Sequence, residues 1–345
     1  MNDQDYAVVV GINYYPGLGS LKGAEFDADQ FAAWLEDRAG GALPPGNVRR
    51  ARSRDFHPPL PSSPYEAKPD DVSFESQLLD LVLDHATHAP RQPAGRRLYL
   101  YFSGHGFSGT STSEAALYAA NAAFPQYRHI AATRYAEWLQ AGALYEEIVL
   151  IMDCCRDMSL ISPILSLALA PVQNPARSAL VRQLGWYAVP AGMKAREREI
   201  EPGGPVRGVF TYLLLEALRE APADANGDVW ADRVADHVQT RWPTLAPNQA
   251  PPVLPVDMQR NIVLARRLAE PLCQVAARTR PAAADGTPLV VYTYAAGQPK
   301  EVLRVAVQGG SAACALAPGL YKFSLEGGAR SALVEVIGSQ VDVEL

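Results

Sequence analysis

The strongest constraint on the fold is the alternation of short, wholly apolar runs with longer amphipathic stretches in the first 265 residues. Runs continuous in Val, Ile, Leu and Tyr are typical of strands buried on both faces, and a 3.6-residue apolar period predicts the helices between them. Strands that alternate with helices form a mainly parallel sheet that is sandwiched by helices. The strands are predicted at 5–12, 98–102, 146–152 and 186–189, and the helices at 23–39, 73–88, 132–142, 209–220 and 229–242.

From residue 285 onward the pattern changes to short alternating runs separated by Gly, Pro or small residues. This pattern predicts a small antiparallel β-sandwich, and nothing in it suggests catalysis. We therefore expect an α/β domain over 1–265, a linker over 266–284 and an accessory β domain over 285–345. Residues 44–70 are rich in proline, which predicts a long loop or insertion there.

Charge and hydropathy argue against two functional classes. The formal net charge is −6 and the pI is near 5.6, whereas nucleic-acid-binding domains normally carry a basic face, so no nucleic-acid partner is expected. The arginines at 49, 50, 52 and 54 are interpreted as part of a solvated loop. The N-terminus lacks the layout of a signal peptide. The longest apolar run after Cys155 is about 13 residues, whereas a bilayer span needs roughly 20. The chain is expected to be soluble and cytoplasmic, without a membrane span.

The cysteines predict neither a disulfide nor a metal site. Cys154 and Cys155 are adjacent, and Cys273 and Cys314 are distant from them. Adjacent cysteines rarely bridge each other, because a vicinal disulfide needs a distorted peptide. No CxxC or HxxxH pairs are present, so reduced thiols and no metal centre are expected.

Two of the predicted strands end in residues that can perform nucleophilic chemistry. One runs into Ser-Gly-His-Gly, which contains His105, and the other runs into Asp-Cys-Cys, which ends at Cys155. Reactive groups in an open parallel sheet gather beyond the carboxyl ends of the strands, so the two side chains meet if the strands are neighbours. A cysteine nucleophile needs an imidazole and backbone N–H groups for the oxyanion, and the N–H groups of Gly106 and Cys155 are the candidates. Either residue alone is better explained as a strand-end cap or core filler, but the combination favours catalysis.

The chain resembles the caspase and metacaspase superfamily over roughly residues 5–260. Its Ser-Gly-His-Gly and Asp-Cys-Cys segments correspond to the family's histidine and D-x-C motifs. His105 lies 50 residues before Cys155, a separation typical of caspases. The other similar segments are AVVVGINYY (7–15), LKGAEFDAD (21–29), ALYAANA (116–122), GVFTYLLLEAL (208–218) and DANGDV (224–229). The resemblance implies a caspase-like α/β fold and a cysteine endopeptidase that needs no cofactor.

The resemblance also implies which thiol acts. The family's nucleophile is the cysteine two residues after the aspartate, so Cys155 takes that role and Cys154 is its buried neighbour. The family usually continues with His-Ser-Gly, whereas this chain has Arg156, Asp157 and Met158. The departure keeps the histidine and cysteine but changes the floor of the cleft.

Acidic residues of the same motifs imply a specificity. In metacaspases the aspartate of the D-x-C motif and an aspartate of the first helix line the pocket for the residue before the cut. These correspond to Asp153 and Asp27, and Ser103 can add a hydrogen bond. Two carboxylates in a partly dry pocket favour a cation, so cleavage after Arg or Lys is expected. The simpler alternative for Asp27 is an exposed acid at a helix start.

Two loops allow more than one interpretation. Residues 192–207 are rich in Arg, Lys and Gly and fall near the family's cleft. They are a wall of the substrate groove, a site of self-cleavage or merely a solvated loop. Residues 224–228 resemble a fragment of a calcium loop but lack the downstream glutamate, so an Asx turn is favoured and a calcium requirement is unsupported.

We therefore expect an endopeptidase that acts on a protein substrate with a basic residue before the scissile bond. Family association suggests bacterial defence or regulated cell death, with a gasdermin-like pore-former as a candidate substrate. The alternative is a catalytically silent scaffold that recruits partners through its β domain.

Overall fold

The computed structural model describes residues 2–56, 63–109, 111–158, 164, 166–224, 226–267, 273–295, 298–316, 319–327, 330–337 and 340–345. The chain divides into two compact units, residues 1–267 and 268–345. Each unit has a hydrophobic core of its own.

The α-helices of the described residues all belong to the first unit. They are α1 (Ala24–Glu36), α2 (Asp71–Val82), α3 (Ala132–Ala141), α4 (Pro175–Ser178), α5 (Val209–Glu220) and α6 (Ala231–Leu245). The first unit also contains the strands β1 (Asp5–Gly11), β2 (Val48–Arg52), β3 (Gly95–Gly104), β4 (Gly106–Ser108), β5 (Ala116–Tyr118), β6 (His129–Ile130), β7 (Tyr145–Cys154), β8 (Asp157–Met158), β9 (Arg182–Tyr187), β10 (Glu197–Glu199), β11 (Val206–Gly208), β12 (Asp228–Trp230) and β13 (Val263–Arg266).

A five-stranded parallel sheet in the order β2-β1-β3-β7-β9 forms the centre of the first unit. Successive side chains of a strand point to opposite faces. In β1, Ala7 and Val9 therefore pack into one core with α1, α5 and α6, and Val8 and Val10 pack into the other with α2 and α3. The prediction of a mainly parallel sheet covered on both faces by helices is confirmed.

The prediction of a loop or insertion over residues 44–70 is wrong in part. The segment Val48–Arg52 forms an edge strand that pairs in parallel with β1 and buries Val48 and Ala51. The five residues Val-Arg-Arg-Ala-Arg contain no proline and are compatible with a strand. The prolines on either side hide this short stretch in the sequence.

The interpretation of the nearby arginines as a solvated loop is also wrong. Arg49 contacts Asp80 at 2.6 Å, and Arg50 contacts Glu36 at 2.7 Å. Arg52 contacts both Asp29 and Asp55, and Arg54 contacts Asp29. The four guanidinium groups therefore attach the edge strand and the turn after it to neighbouring elements.

The second unit is a sandwich of two sheets with one shared core. Its strands are β14 (Cys273–Arg278), β15 (Pro288–Ala295), β16 (Gln298–Ala306), β17 (Ser311–Leu316), β18 (Gly319–Leu325), β19 (Ser331–Val336) and β20 (Gln340–Glu344). The sheet orders are β17-β14-β20 and β16-β15-β18-β19, and all pairs are antiparallel except β14 with β20.

The linker predicted at 266–284 is wrong where it covers β14. Residues 273–278 are the central strand of a sheet and alternate between buried and more exposed positions. The alternation is hard to recognise in the sequence because three of the six side chains are Ala or Cys, which barely differ in hydropathy from position to position. The division between the units instead falls between residues 267 and 268.

Across the described part of the chain, no helix has the length and apolar character that crossing a membrane requires.

Packing of α1 on the sheet leads to a stability prediction. The Phe31 ring is fully buried and stacks on Tyr101 with a centroid distance of 4.6 Å. We expect Phe31→Ala to lower the free energy of unfolding by about 3–5 kcal/mol, because it removes buried apolar area and leaves a cavity. Urea unfolding of the full chain measures the change, and Val72→Ala is the control because Val72 is 67% exposed. A loss in Phe31→Ala no larger than in the control would contradict this packing.

Candidate active site

The ends of β3 and β7 bring the two predicted catalytic residues to one edge of the sheet. The parallel register pairs Ser103 with Asp153 and Gly104 with Cys154. His105 and Cys155 immediately follow the last residues of these strands, and both line one cavity of about 310 Å³. Both residues therefore lie at the same edge of the sheet, where the sequence predicts them.

The imidazole of His105 is held by a backbone carbonyl. Its Nε2 lies 2.9 Å from the oxygen of Gly19. A carbonyl oxygen can only accept a hydrogen bond, so this contact indicates that Nε2 carries a proton and that Nδ1 is the basic nitrogen of the neutral ring. The role of Gly19 could not be predicted from the sequence, because no pattern in the turn after β1 indicates which side chain contacts its carbonyl.

Steric crowding explains why the residues on either side of His105 are glycines. A Cβ at residue 104 would collide with the hydroxyl of Tyr15, and a Cβ at residue 106 would collide with the Cys154 thiol. Gly106 begins β4 and pairs with Leu117. Its role as an oxyanion donor stays a prediction.

The two adjacent thiols have different surroundings. Cys154 is 2% exposed, and burial raises its pKa well above the ordinary value. Cys155 is only partly buried and its Sγ donates to the carbonyl oxygen of Ala195 at 3.6 Å. Burial also raises the pKa of Cys155, so its thiol is protonated at neutral pH in this state.

Asp153 forms part of the cavity wall. Its Oδ2 accepts hydrogen bonds from the backbone N–H of Thr211 at 3.0 Å and from the Thr211 hydroxyl at 2.7 Å. Ser103, which faces Asp153 in the strand register, also lines the cavity. A Cβ at residue 208 would collide with the Asp153 carboxylate, so glycine is required there. The start of α5 therefore packs directly against the Asp153 carboxylate.

Asp27 lies behind this wall. It is 1% exposed, which contradicts the alternative of an exposed acid at a helix start. Its carboxylate accepts from the backbone N–H of Gly208 at 2.6 Å and from Nε of Arg207 at 3.1 Å. The described residues around the cavity include Asp153 but not Asp27. Burial, followed by the negative charge of Asp153, raises the pKa of Asp27 to about 8.

The loop over 192–207 is more than a solvated loop. Ala195, Arg196 and Glu197 line the cavity, and β10 pairs with β11 as an antiparallel hairpin. The Glu197 carboxylate accepts from the backbone N–H groups of Lys22 and Gly23, both at 3.1 Å. The hairpin is therefore attached to the start of α1 and forms one side of the cavity.

Arg156, which follows Cys155 where the family usually has a histidine, is buried against Tyr187. It is 3% exposed, and its guanidinium lies 4.2 Å from the centre of the Tyr187 ring. Its Nη2 donates to the Thr112 carbonyl at 2.5 Å. Arg156 therefore joins the segment after Cys155 to the loop before β5.

The calcium-like fragment is an Asx turn among the residues that the structure describes. Asp224 Oδ1 accepts from the backbone N–H groups of Asn226 and Asp228, and Oδ2 accepts from the Trp230 indole. Asp228 forms an ion pair with Arg266. The carboxylates of Asp224 and Asp228 are therefore both engaged within the protein.

Elsewhere, Glu216, Glu220 and His237 bring potential metal-ligand atoms together, a grouping that the sequence analysis missed. Glu216 already accepts from His237 and from Arg241, so we assign no metal there.

A protein family and a solved structure are similar to this chain. The sequence model of a family described as Peptidase_C14, Caspase domain, matches residues 4–240. Among solved structures, the chain is similar to one titled "structure of pro-sf-caspase-1", with 13% identity over 77% of this chain and 92% of that chain and a TM-score of 0.43. A search of curated proteins finds no match.

The family match covers more than half of the chain, so this protein belongs to the caspase-domain family of cysteine peptidases. The resemblance inferred from the motifs is confirmed, together with the caspase-like fold class.

The raised pKa of Asp27 leads to a pH prediction. An acid whose pKa is higher in the folded than in the unfolded state binds more protons when folded, so the contribution of Asp27 to the free energy of unfolding falls as pH rises from about 4 to about 8. We expect Asp27→Asn to make this decline shallower, by up to about 1.4 kcal/mol per pH unit. Urea unfolding at pH 5, 6 and 7 measures the slope.

Asp236→Asn is the control for this measurement, because Asp236 is exposed on α6. An equal slope in wild type, Asp27→Asn and the control would rule out a raised pKa at residue 27.

Proposed function

We propose that this protein is a cysteine endopeptidase that uses His105 and Cys155 to cleave protein substrates after Arg or Lys. The observation that carries the proposal is that both residues, at the ends of adjacent parallel strands, line one cavity with an acidic wall at Asp153. Membership of the caspase-domain family supports the peptidase class.

The proposed reaction begins with proton transfer from the Cys155 thiol to Nδ1 of His105. The hydrogen bond from Nε2 to the Gly19 carbonyl supports this assignment, because it orients the ring and places a proton on the other nitrogen. The Cys155 hydrogen bond to Ala195 breaks, and the thiolate attacks the scissile carbonyl carbon. The backbone N–H groups of Gly106 and Cys155 stabilise the oxyanion.

Collapse of the tetrahedral intermediate releases the first product. The C–N bond breaks, His105 donates its proton to the leaving amine, and an acyl-enzyme thioester remains on Cys155. Water, deprotonated by the same imidazole, then attacks the thioester and releases the carboxylate product and the thiol.

Substrate preference is proposed to come chiefly from Asp153. Its carboxylate lines the cavity, whereas Asp27 lies behind it and is already paired with Arg207. A cationic side chain that enters the cavity can donate a charge-assisted hydrogen bond to Asp153, and Ser103 is close enough in the register to assist. Asp27 then acts indirectly, through its hydrogen bond with the backbone N–H of Gly208, a residue that lines the cavity.

By family association, we further propose a role in bacterial defence or regulated cell death, with a gasdermin-like pore-former as the protein substrate.

A peptide assay tests the proposal. With fluorogenic peptides that end in Arg, Lys or Asp, we expect wild type to cleave after Arg and Lys, and Cys155→Ala to be inactive. Asp153→Asn is expected to lower kcat/KM for the Arg peptide by about a hundred-fold, because the cation loses its buried counter-charge. Asp236→Asn again serves as the control, because Asp236 lies on the exposed face of α6, opposite its buried face.

Activity that survives in Cys155→Ala would refute the nucleophile, and a preference for Asp would refute the acidic pocket. Wild type that cleaves no peptide at any pH, with or without calcium, would instead favour the catalytically silent scaffold.

A further inference from the structure

Tyr15 is a fully buried residue beside His105 that the reaction scheme leaves without a role. It follows β1 by four positions and is 0% exposed. The centre of its ring lies 4.8 Å from the centre of the His105 imidazole, with the two planes at 61°. The edge of one ring therefore packs against the other and limits how far the imidazole can rotate.

The Tyr15 hydroxyl restrains the backbone of His105. It accepts from the His105 N–H at 3.1 Å and donates to the Tyr118 carbonyl at 3.1 Å. The Tyr118 N–H in turn donates to the His105 carbonyl at 2.8 Å. Both backbone groups of His105 are thus engaged in one closed set of hydrogen bonds. Burial raises the pKa of Tyr15 well above its ordinary value, so the hydroxyl keeps the proton that it donates.

The backbone of Tyr15 reaches the imidazole by a second route. The Tyr15 carbonyl accepts from the Gly19 N–H at 2.9 Å, which closes a tight turn. The Gly19 carbonyl then accepts from Nε2 of His105 at 2.9 Å. The same residue therefore supports the main chain of His105 through its side chain and the His105 ring through its main chain.

The chain makes room for this arrangement. Gly104 has no Cβ, and any side chain there would collide with the Tyr15 hydroxyl. The requirement for glycine before His105 is thus set by Tyr15, which lies about ninety residues earlier in the sequence.

We propose that Tyr15 is the positioning residue of His105: its hydroxyl and ring hold the imidazole where Nδ1 can exchange a proton with the Cys155 thiol. This inference rests on the proposed function, because it assumes that the two residues act together. The described residues that line the cavity include His105 and Cys155 but not Tyr15, so Tyr15 acts through His105.

The test uses Tyr15→Phe, which keeps the ring and removes only the hydroxyl. The matched control is Tyr135→Phe, which removes a buried hydroxyl that donates to Glu75 at 2.8 Å on the opposite side of the sheet from α1. His105→Ala and Cys155→Ala complete the set. All variants are made in the full chain, and thermal unfolding midpoints show whether each one folds.

Two readouts separate positioning from general stability. The first is the rate of Cys155 alkylation by iodoacetamide between pH 5 and pH 9, followed by mass spectrometry of the peptide that contains Cys155. The second is kcat and KM for the Arg peptide. We expect Tyr15→Phe to slow alkylation at neutral pH by about ten-fold and to shift its pH profile toward that of His105→Ala. We expect kcat to fall by a similar factor with KM nearly unchanged, and Tyr135→Phe to behave as wild type.

The outcomes distinguish the inference from the proposed function. If His105→Ala slows alkylation and Tyr15→Phe does not, the positioning role is wrong and the proposed function stands. If His105→Ala has the alkylation profile of wild type, imidazole and thiol are uncoupled, and the proposed function fails together with the inference. If Tyr15→Phe and Tyr135→Phe lose activity equally, Tyr15 has only a structural role.

Discussion

The site depends on the parallel pairing of β3 with β7. The register runs from Gly95 opposite Tyr145 to Gly104 opposite Cys154, so His105 and Cys155 follow together at the end of the ladder. Side chains alternate along both strands between two cores, and a shift of one residue would move apolar side chains to the wrong face. Hydrophobic packing on both faces therefore determines the register, and the register determines which residues reach the cavity.

A second constraint is the presence of two buried carboxyl groups near this edge. Asp153 and Asp27 are both buried, and burial raises the pKa of each carboxyl group. The protein offsets this cost with donors from one short segment, since Arg207 and Gly208 bind Asp27 and Thr211 binds Asp153. A buried acid that is held by fixed donors is well suited to bind a cation from a substrate, because little has to reorganise when the cation arrives.

Several parts of the fold were predictable from local patterns. The strands that carry His105 and Cys155 are long, continuous and apolar, so their type and their ends could be recognised. The edge strand at Val48–Arg52 and the strand at Cys273–Arg278 were missed, because flanking prolines mask the first and small residues obscure the alternation of the second. Tyr15 and Gly19 were missed for another reason. Their meaning lies in a contact with His105, far along the chain, that no local period encodes.

The sequence by itself determined the class of fold and the kind of chemistry. The apolar runs require strands buried on both faces, and two of them are followed by a histidine and a cysteine, residue types that can serve as base and nucleophile. Only the tertiary structure decided which groups surround that pair: the carbonyl of Gly19 on the imidazole, the hairpin at Ala195–Glu197 beside the thiol, and Arg207 on Asp27. The physical reason is that periodicity reports which face of an element is buried, whereas a hydrogen bond or ion pair between distant segments exists only after the chain has brought them together.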